Sequence, residues 1–410
     1  MTAVDNDQAI PTRAYLAGLE GIRGFGCLGV IAAHSWVHWA PVTTPGGMAQ
    51  SIGLALVLFF VMSGLLIYLP FARDIMRNER RVGVRRYAVR RLARVFPAYL
   101  VIFAVSDLLL RAVYVENAVS GGRTGSDAGA GMITDPFTLL ANLSLTQTLI
   151  PSTMQTGINP AWSLTTELCF YASLPLLAVP LVGRAAGWTR RAFWLAAAPG
   201  LLLIMVGLVS RAVAEAWWRA TPGMPTIEAE YGDNGIAVLT RSFLAIADNF
   251  GLGMLIAVLF LAMERGGLRW LTRTRTLIAG TILCGAAGAM TLVAAEHAPW
   301  FVTSAMSLCA GVMILVLVEA TARRTPSRIV SAFDGRVLNH IGAISLSAYL
   351  WHFPVIIVIS RIDHRVNIVG GDSWATIVWA PILVSAVAIA LGSLSHRWIE
   401  KPAMDWSHGR

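Results

Sequence analysis

SIGLALVLFFVMSGLLIYLPF (residues 51–71) is followed directly by ARDIMRNERRVGVRRYAVRRLARV (72–95). The first stretch holds no charged residue and has the length an α-helix needs to cross a hydrocarbon core of about 30 Å. The second carries Arg73, Arg77, Arg80, Arg81, Arg85, Arg86, Arg90, Arg91 and Arg94 against only Asp74 and Glu79. An arginine-rich segment beside an apolar span stays on the cytoplasmic side. This pair of segments therefore gives a membrane helix and its direction.

The same alternation extends through all 410 residues. The chain is 56% hydrophobic and 13% charged, with a mean hydropathy of +0.63. Soluble domains carry about 25% charge, so a soluble enzyme, a disordered chain and a secreted disulfide scaffold are excluded. Ten spans of bilayer length follow, at 21–39, 51–71, 96–115, 162–182, 193–213, 240–263, 276–295, 300–320, 338–360 and 374–395. Counting from the basic segment, the cytoplasmic loops 183–192, 264–275 and 321–337 carry Arg184, Arg190 and Arg191; Arg265, Arg269, Arg273 and Arg275; and Arg323, Arg324, Arg328 and Arg336. The opposite loops, 116–161 and 214–239, are acidic or neutral, and GGRTGSDAGAG (121–131) reads as a flexible outer segment. The expected fold is an all-α polytopic membrane bundle of ten helices with both termini cytoplasmic. Residues 1–20 form a cytoplasmic N-terminal segment, 21–395 the membrane domain with its basic cytoplasmic loop 72–95, and 396–410 a cytoplasmic tail.

Net charge is +9, from 32 Lys+Arg against 23 Asp+Glu, and Lys401 is the lone lysine. The basic balance follows from topology rather than nucleic-acid binding, and the arginine bias points to a GC-rich, actinobacterial source. The N-terminus MTAVDNDQAI lacks the basic start of a signal peptide, so no cleavage is expected. Cys27, Cys169, Cys284 and Cys309 lie inside spans without metal spacing, so neither a disulfide nor a metal site is expected.

Titratable side chains at membrane depth are costly, and each is a functional candidate. Arg23 and His34 are eleven residues apart, which is about 1100° of helix, or about 20° beyond three turns. Both therefore lie on one face, about 16 Å apart along the axis. A phosphate at Arg23 and a reacting atom at His34 would be joined by a slender arm of the length of phosphopantetheine. The bland alternative has Arg23 reaching lipid headgroups and His34 bonding a neighbouring helix. Glu167, Asp248 and His352 fall with His34 in the outer half, which implies a polar chamber, with Tyr349 one turn from His352. Glu167 is the first choice of partner for His34 and Asp248 the second. Ser63, in FFVMSG, is either a close helix contact or a donor to a thioester oxygen. Asp107 with Arg111, and Glu319 with Arg323, have the i,i+4 spacing of simple ion pairs.

In order along the chain, Arg23 with His34, FFVMSG (59–64), RRLARVFPAY (90–99), WSLTTELCFY (162–171), GAISLSAYLWHFP (342–354) and WIEKP (398–402) resemble the motifs of acyltransferase family 3. These are integral-membrane, acyl-CoA-dependent O-acyltransferases, and the resemblance runs from about Leu16 to Pro402. It implies transfer of an acyl group, commonly acetyl, from cytoplasmic acyl-CoA to a hydroxyl of a sugar or glycolipid presented outside. His34 would be the general base, Glu167 its partner, Ser63 the site of oxyanion donors, and Arg23, Arg91 and Arg94 the holders of CoA phosphates. Acetyl-CoA would be a cosubstrate, with no permanently bound cofactor. The partners would be the acyl donor, the acceptor and membrane lipids. A bacterial inner membrane is the implied location, and a trehalose mycolate is one acceptor consistent with the composition; macrolides and polysaccharides remain open. Direct transfer and an acyl-histidine intermediate both fit. The rival reading is a transporter or flippase, which also places polar groups at mid-membrane.

Overall fold

The computed structural model describes residues 16–44, 55–117, 119, 129–268, 270 and 272–409. The N-terminal segment up to residue 15, the start of the second span at 51–54, most of the glycine-rich segment and Arg269 lie outside the described residues. Ten long helices carry the fold: α1 (Leu19–Trp39), α2 (Ala55–Arg77), α3 (Val84–Ala104), α4 (Trp162–Ala178), α5 (Arg190–Arg219), α6 (Phe243–Glu264), α7 (Arg273–His297), α8 (Val302–Ala322), α9 (Ser345–Val366) and α10 (Trp374–Ser395). Among the described residues, nine segments, built on α2 to α10, are long and apolar enough to cross a membrane. The remaining helix, α1, has 21 residues but is less apolar, because Glu20, Arg23, His34 and His38 lie on it. It is shielded by α2, α9, α10 and the short helix Arg336–Ala343. A polar helix is tolerated at membrane depth when protein rather than lipid surrounds it.

The centre of the bundle is α6, whose most apolar window is 78% buried, and the rim is α7, at 11%. The centre can be this dense because glycines bring backbones together. A Cβ on Gly64 of α2 would lie 2.1 Å from the Phe250 carbonyl oxygen of α6, and one on Gly253 of α6 would lie 1.9 Å from that of Val61. With lipid as apolar as the side chains, such close van der Waals contact is what joins helices in a membrane.

Several boundaries differ from the sequence reading. The basic segment 72–95 is helical except at residues 78–83, since α2 runs to Arg77 and α3 starts at Val84. The reason is spacing: Val95, Ala98, Tyr99, Ile102 and Phe103 continue a buried stripe down the arginine-bearing helix. The segment 116–161 contains the helix Pro136–Leu143, whose Asp135 cap accepts from the Thr138 N–H at 2.7 Å. That N–H holds the Asp135 carboxyl below the usual range. The segment 214–239 begins with the end of α5 and adds two short helices, Thr226–Tyr231 and Gly235–Arg241. The expected tail at 396–410 is instead a π-turn, His396–Glu400, running into the helix Lys401–His408, which packs on α3.

The helix of Asp107 and Arg111 also ends early, in a π-turn over Val105–Leu109, and Arg111 adopts a left-handed φ of 50°. Their i,i+4 geometry is lost. Asp107 accepts from the Ile133 N–H at 2.7 Å. The Glu319–Arg323 pair does form, at 2.7 Å.

Candidate active site

Helices α1 and α9 run side by side in the same direction, so successive turns of one meet successive turns of the other. Arg23 Nη2 donates to Ser345 Oγ at 3.2 Å, and the Cys27 thiol approaches the Ser345 carbonyl at 3.8 Å. Two turns further along α9, His352 Nε2 meets His34 Nδ1 at 3.0 Å. The single face predicted for Arg23 and His34 is thus the face that α9 covers.

The two imidazoles meet with ring centroids 5.0 Å apart and planes 27° from parallel. His352 has no solvent exposure, whereas His34 is half-buried. The other nitrogen of His352, Nδ1, bonds the Tyr349 carbonyl. Phe353 meets the His34 ring edge-on at 5.5 Å. Tyr349 is held by its hydroxyl, which donates to the Pro160 carbonyl at 2.9 Å and lies 3.0 Å from Ser163 Oγ. Ser163 belongs to the WSLTTE stretch, so that motif and the late motif meet at this one point.

Glu167 does not contact His34 as its hydrogen-bonding partner. It accepts instead from Ser63 Oγ at 2.9 Å, joining α2 to α4. The sequence reading assigned the histidine's partner by depth, and depth says nothing about which face a side chain leaves from. The Ser63 hydroxyl, expected near a thioester oxygen, is occupied by this carboxylate. Its hydrogen bond to a charged acceptor is worth about 1.5–3 kcal/mol. Ser63→Ala should therefore lower the thermal unfolding midpoint in detergent, and Ser63→Thr, which keeps the hydroxyl, should restore most of the loss.

Asp248 is also elsewhere. It pairs with Arg211 of α5 at 3.3 Å, with both side chains buried, and accepts from Ser304 of α8. Arg211 donates in addition to the Trp300 carbonyl at 2.7 Å. A buried carboxylate needs such partners, and these hold it in a helix-joining network away from the histidines.

At the basic end, Arg23 is bound to Glu20 at 3.1 Å as well as to Ser345. Arg94 lies within electrostatic reach of Arg23, and Glu20, Glu167 and Glu400 are the counter-charges of both. Glu400 is fully buried; it accepts from Ser347 Oγ at 3.0 Å and lies 3.1 Å from His396 Nδ1. The π-turn that carries it adds a residue to the helix and turns the carboxylate inward, a use of π-geometry that recurs at functional sites. Arg91 packs over the rings of Tyr87 and Tyr171, 5.8 Å from each, and its Nε is buried without a partner.

At the other end stands Arg241, stacked 4.7 Å from the Trp162 ring and 4.1 Å from that of Tyr231, and paired with Glu230 at 2.6 Å. It is a charged neighbour of His34. Asp372 closes this end by accepting from the Val42 and Thr43 N–H groups at 2.8 and 3.0 Å. The Thr43 hydroxyl, then these two amides, hold its carboxyl below the usual range.

The result is a polar column through an apolar bundle: Arg94, Arg23 and Glu400, then Glu167 and Ser63, then His34, His352 and Tyr349, then Arg241. Sequence reasoning missed Arg241 and Glu400. Arg241 sits within the sixth apolar span, and its charge there was a usable signal. Glu400 falls beyond the tenth span, and hydropathy alone makes it look solvated. Among the described residues there is no group of three or more His, Cys, Asp or Glu placed to hold a metal ion.

Comparison with known proteins gives the family. A family model described as an acyltransferase domain matches residues 16–395. The chain is 28% identical to acyltransferase MdmB of Streptomyces mycarofaciens, over 96% of this chain and 93% of that protein. It is 25% identical to the peptidoglycan O-acetyltransferase OatA of Listeria monocytogenes over 95% of this chain, and 25% identical to the putative peptidoglycan O-acetyltransferase YrhL of Bacillus subtilis. It spans only 56% and 55% of those two relatives. No solved structure matches. The match takes in all ten long helices, from the arginine of α1 to the end of α10, and the chain is a multi-pass membrane protein that belongs to acyltransferase family 3.

Proposed function

We propose that this protein moves an acyl group, acetyl in the first instance, from acyl-CoA at the basic end to a hydroxyl of an envelope sugar or glycolipid at the opposite end. The observation that carries this reading is the column: a pair of arginines at one level and an accessible imidazole about 16 Å along the same helix face. Guanidinium groups suit phosphate oxygens, and the surrounding arginines draw an anionic donor toward the bundle. The basic end is then cytoplasmic, where acyl-CoA is made. The relatives named as peptidoglycan O-acetyltransferases support a sugar hydroxyl as acceptor, and a trehalose mycolate is one glycolipid that fits an actinobacterial envelope.

In the direct route, His34 takes the proton from the acceptor hydroxyl as its oxygen attacks the thioester carbon. The tetrahedral oxyanion collapses, the C–S bond breaks, and the thiolate of CoA receives the proton from the His34 imidazolium. Proton, acyl group and thiol balance without a further reactant. Arg241, a charged neighbour of His34, is the group beside the imidazole pair from which oxyanion stabilisation can come.

The test is transfer of radiolabelled acetyl from acetyl-CoA by the full chain in nanodiscs, with an envelope lipid and glycan extract as acceptor. Label should appear in a lipid or sugar product. Replacing both Arg23 and Arg94 with alanine should raise the KM for acetyl-CoA at least tenfold, since each hydrogen bond to a charged phosphate is worth about 1.5–3 kcal/mol. An unchanged KM overturns the donor assignment. Movement of a polar solute across sealed vesicles without consumption of acyl-CoA would favour a transporter.

A further inference from the structure

We infer that His352 is a positioning residue whose task is to fix the tautomer of His34. The inference rests on the reading of His34 as the base, and it concerns how that base is held.

The Tyr349 carbonyl can only accept. His352 Nδ1 bonds it, so Nδ1 must carry a proton. In the neutral ring Nε2 is then bare and acts as an acceptor. The group facing it is His34 Nδ1, at 3.0 Å. A hydrogen bond across that gap requires the proton to be on His34 Nδ1. His34 Nε2 is thereby left with its lone pair and no proton. It is the nitrogen not engaged by His352, on the half-exposed ring of the pair, and it is free to take a proton from an acceptor hydroxyl. Which nitrogen of a histidine is basic is set by what the other nitrogen bonds, and here that setting is traced to one backbone oxygen.

A fully buried histidine can be a mere packing residue. Three features speak for more. Both its ring nitrogens are used, one on a backbone atom that cannot change role and the other on the candidate base. The bond joins two rings whose planes lie 27° from parallel, so His352 fixes the plane of the base as well as its proton. The residue supplying the carbonyl is itself tied to α4 and the turn before it through Pro160 and Ser163. This does for His34 what a carboxylate does for many catalytic histidines, but without placing a second charge at membrane depth.

The test compares His352→Leu with His352→Gln in the full chain. Gln places an amide oxygen near the position of Nε2 and can accept the His34 Nδ1 proton; Leu fills space and accepts nothing. His352→Leu should lower kcat about 10- to 100-fold, the usual cost of losing a partner that orients a working group, with the KM for acetyl-CoA unchanged. His352→Gln should regain most of that loss. Nitrogen-15 NMR of histidine-labelled protein should show His34 protonated at Nδ1 in the wild type and in His352→Gln, and a tautomer mixture in His352→Leu. Equal losses in Leu and Gln with the wild-type tautomer retained would mean packing alone and overturn the inference. So would a wild-type His34 protonated at Nε2. Failure of the base reading is seen separately, as full activity of a His34 variant.

Discussion

His34→Ala should lower kcat for acyl transfer by about 10²- to 10⁴-fold, the usual contribution of a general base, while acetyl-CoA still binds. The two effects separate because the donor's phosphates are assigned to Arg23 and Arg94, with Arg23 eleven residues, about 16 Å, from His34 along the helix, and the alanine touches neither. A sugar hydroxyl is far too weak an acid to attack a thioester unaided near neutral pH, so removing the half-buried imidazole of the pair removes the means of activation. His352 cannot substitute: it is fully buried, and its Nδ1 faces a carbonyl. Glu167 is an alternative base on the column, yet its carboxylate is already bonded to Ser63. Equilibrium binding of labelled acetyl-CoA and single-turnover transfer, measured on the same preparation, check both halves of the expectation. Retention of transfer within a few-fold of wild type would move the base to Glu167. In the alternative route through acyl-His34, wild-type enzyme given donor without acceptor would hold label covalently and the alanine variant would not, so the same experiment decides between the routes.

The common face of Arg23 and His34 was legible because helical periodicity needs only the sequence, and the structure lays α9 along that face. The ten spans, nine of which are, among the described residues, apolar enough to cross a membrane, were legible because the bilayer sets one length for all of them. What covers each face was not. His352 and Glu167 both lay at a depth that suited His34, and only packing makes one its partner and gives the other to Ser63. Asp248 was the second choice by depth, but its partner Arg211 lies 37 residues away on another helix. Charge concealed two helical stretches. The arginines at 85–94 read as loop although Val95, Ala98, Tyr99 and Ile102 continue a buried helical stripe from them. Glu400, beyond the last span, fell in the expected cytoplasmic tail although the π-turn at 396–400 buries it completely. In both places a charged side chain is held by other charges inside the protein, an arrangement that hydropathy cannot distinguish from exposure.

Gly253→Ala should destabilise the bundle by about 1–3 kcal/mol, the usual cost of inserting a methyl group into a packed core, although alanine is the better helix former. On an open helix face the same exchange gains about 0.5–1 kcal/mol. The sign reverses because the added Cβ has nowhere to go: it would stand 1.9 Å from the Val61 carbonyl oxygen, 2.8 Å from the Leu65 nitrogen and 2.9 Å from the Gly64 Cα. All three are backbone atoms of α2, so no rotamer change relieves them, and the helices must part. Gly64 adjoins Ser63, so parting α2 from α6 also shifts the hydroxyl that holds Glu167. Transfer activity should therefore fall along with stability. Gly285 on α7 is the control, since a Cβ there meets nothing within 4 Å. Thermal unfolding in one detergent should rank Gly285→Ala at or above wild type and Gly253→Ala clearly below it. A Gly253→Ala midpoint equal to that of wild type would mean that α2 and α6 do not approach as closely as described, and the placement of Ser63 against Glu167 would fall with it.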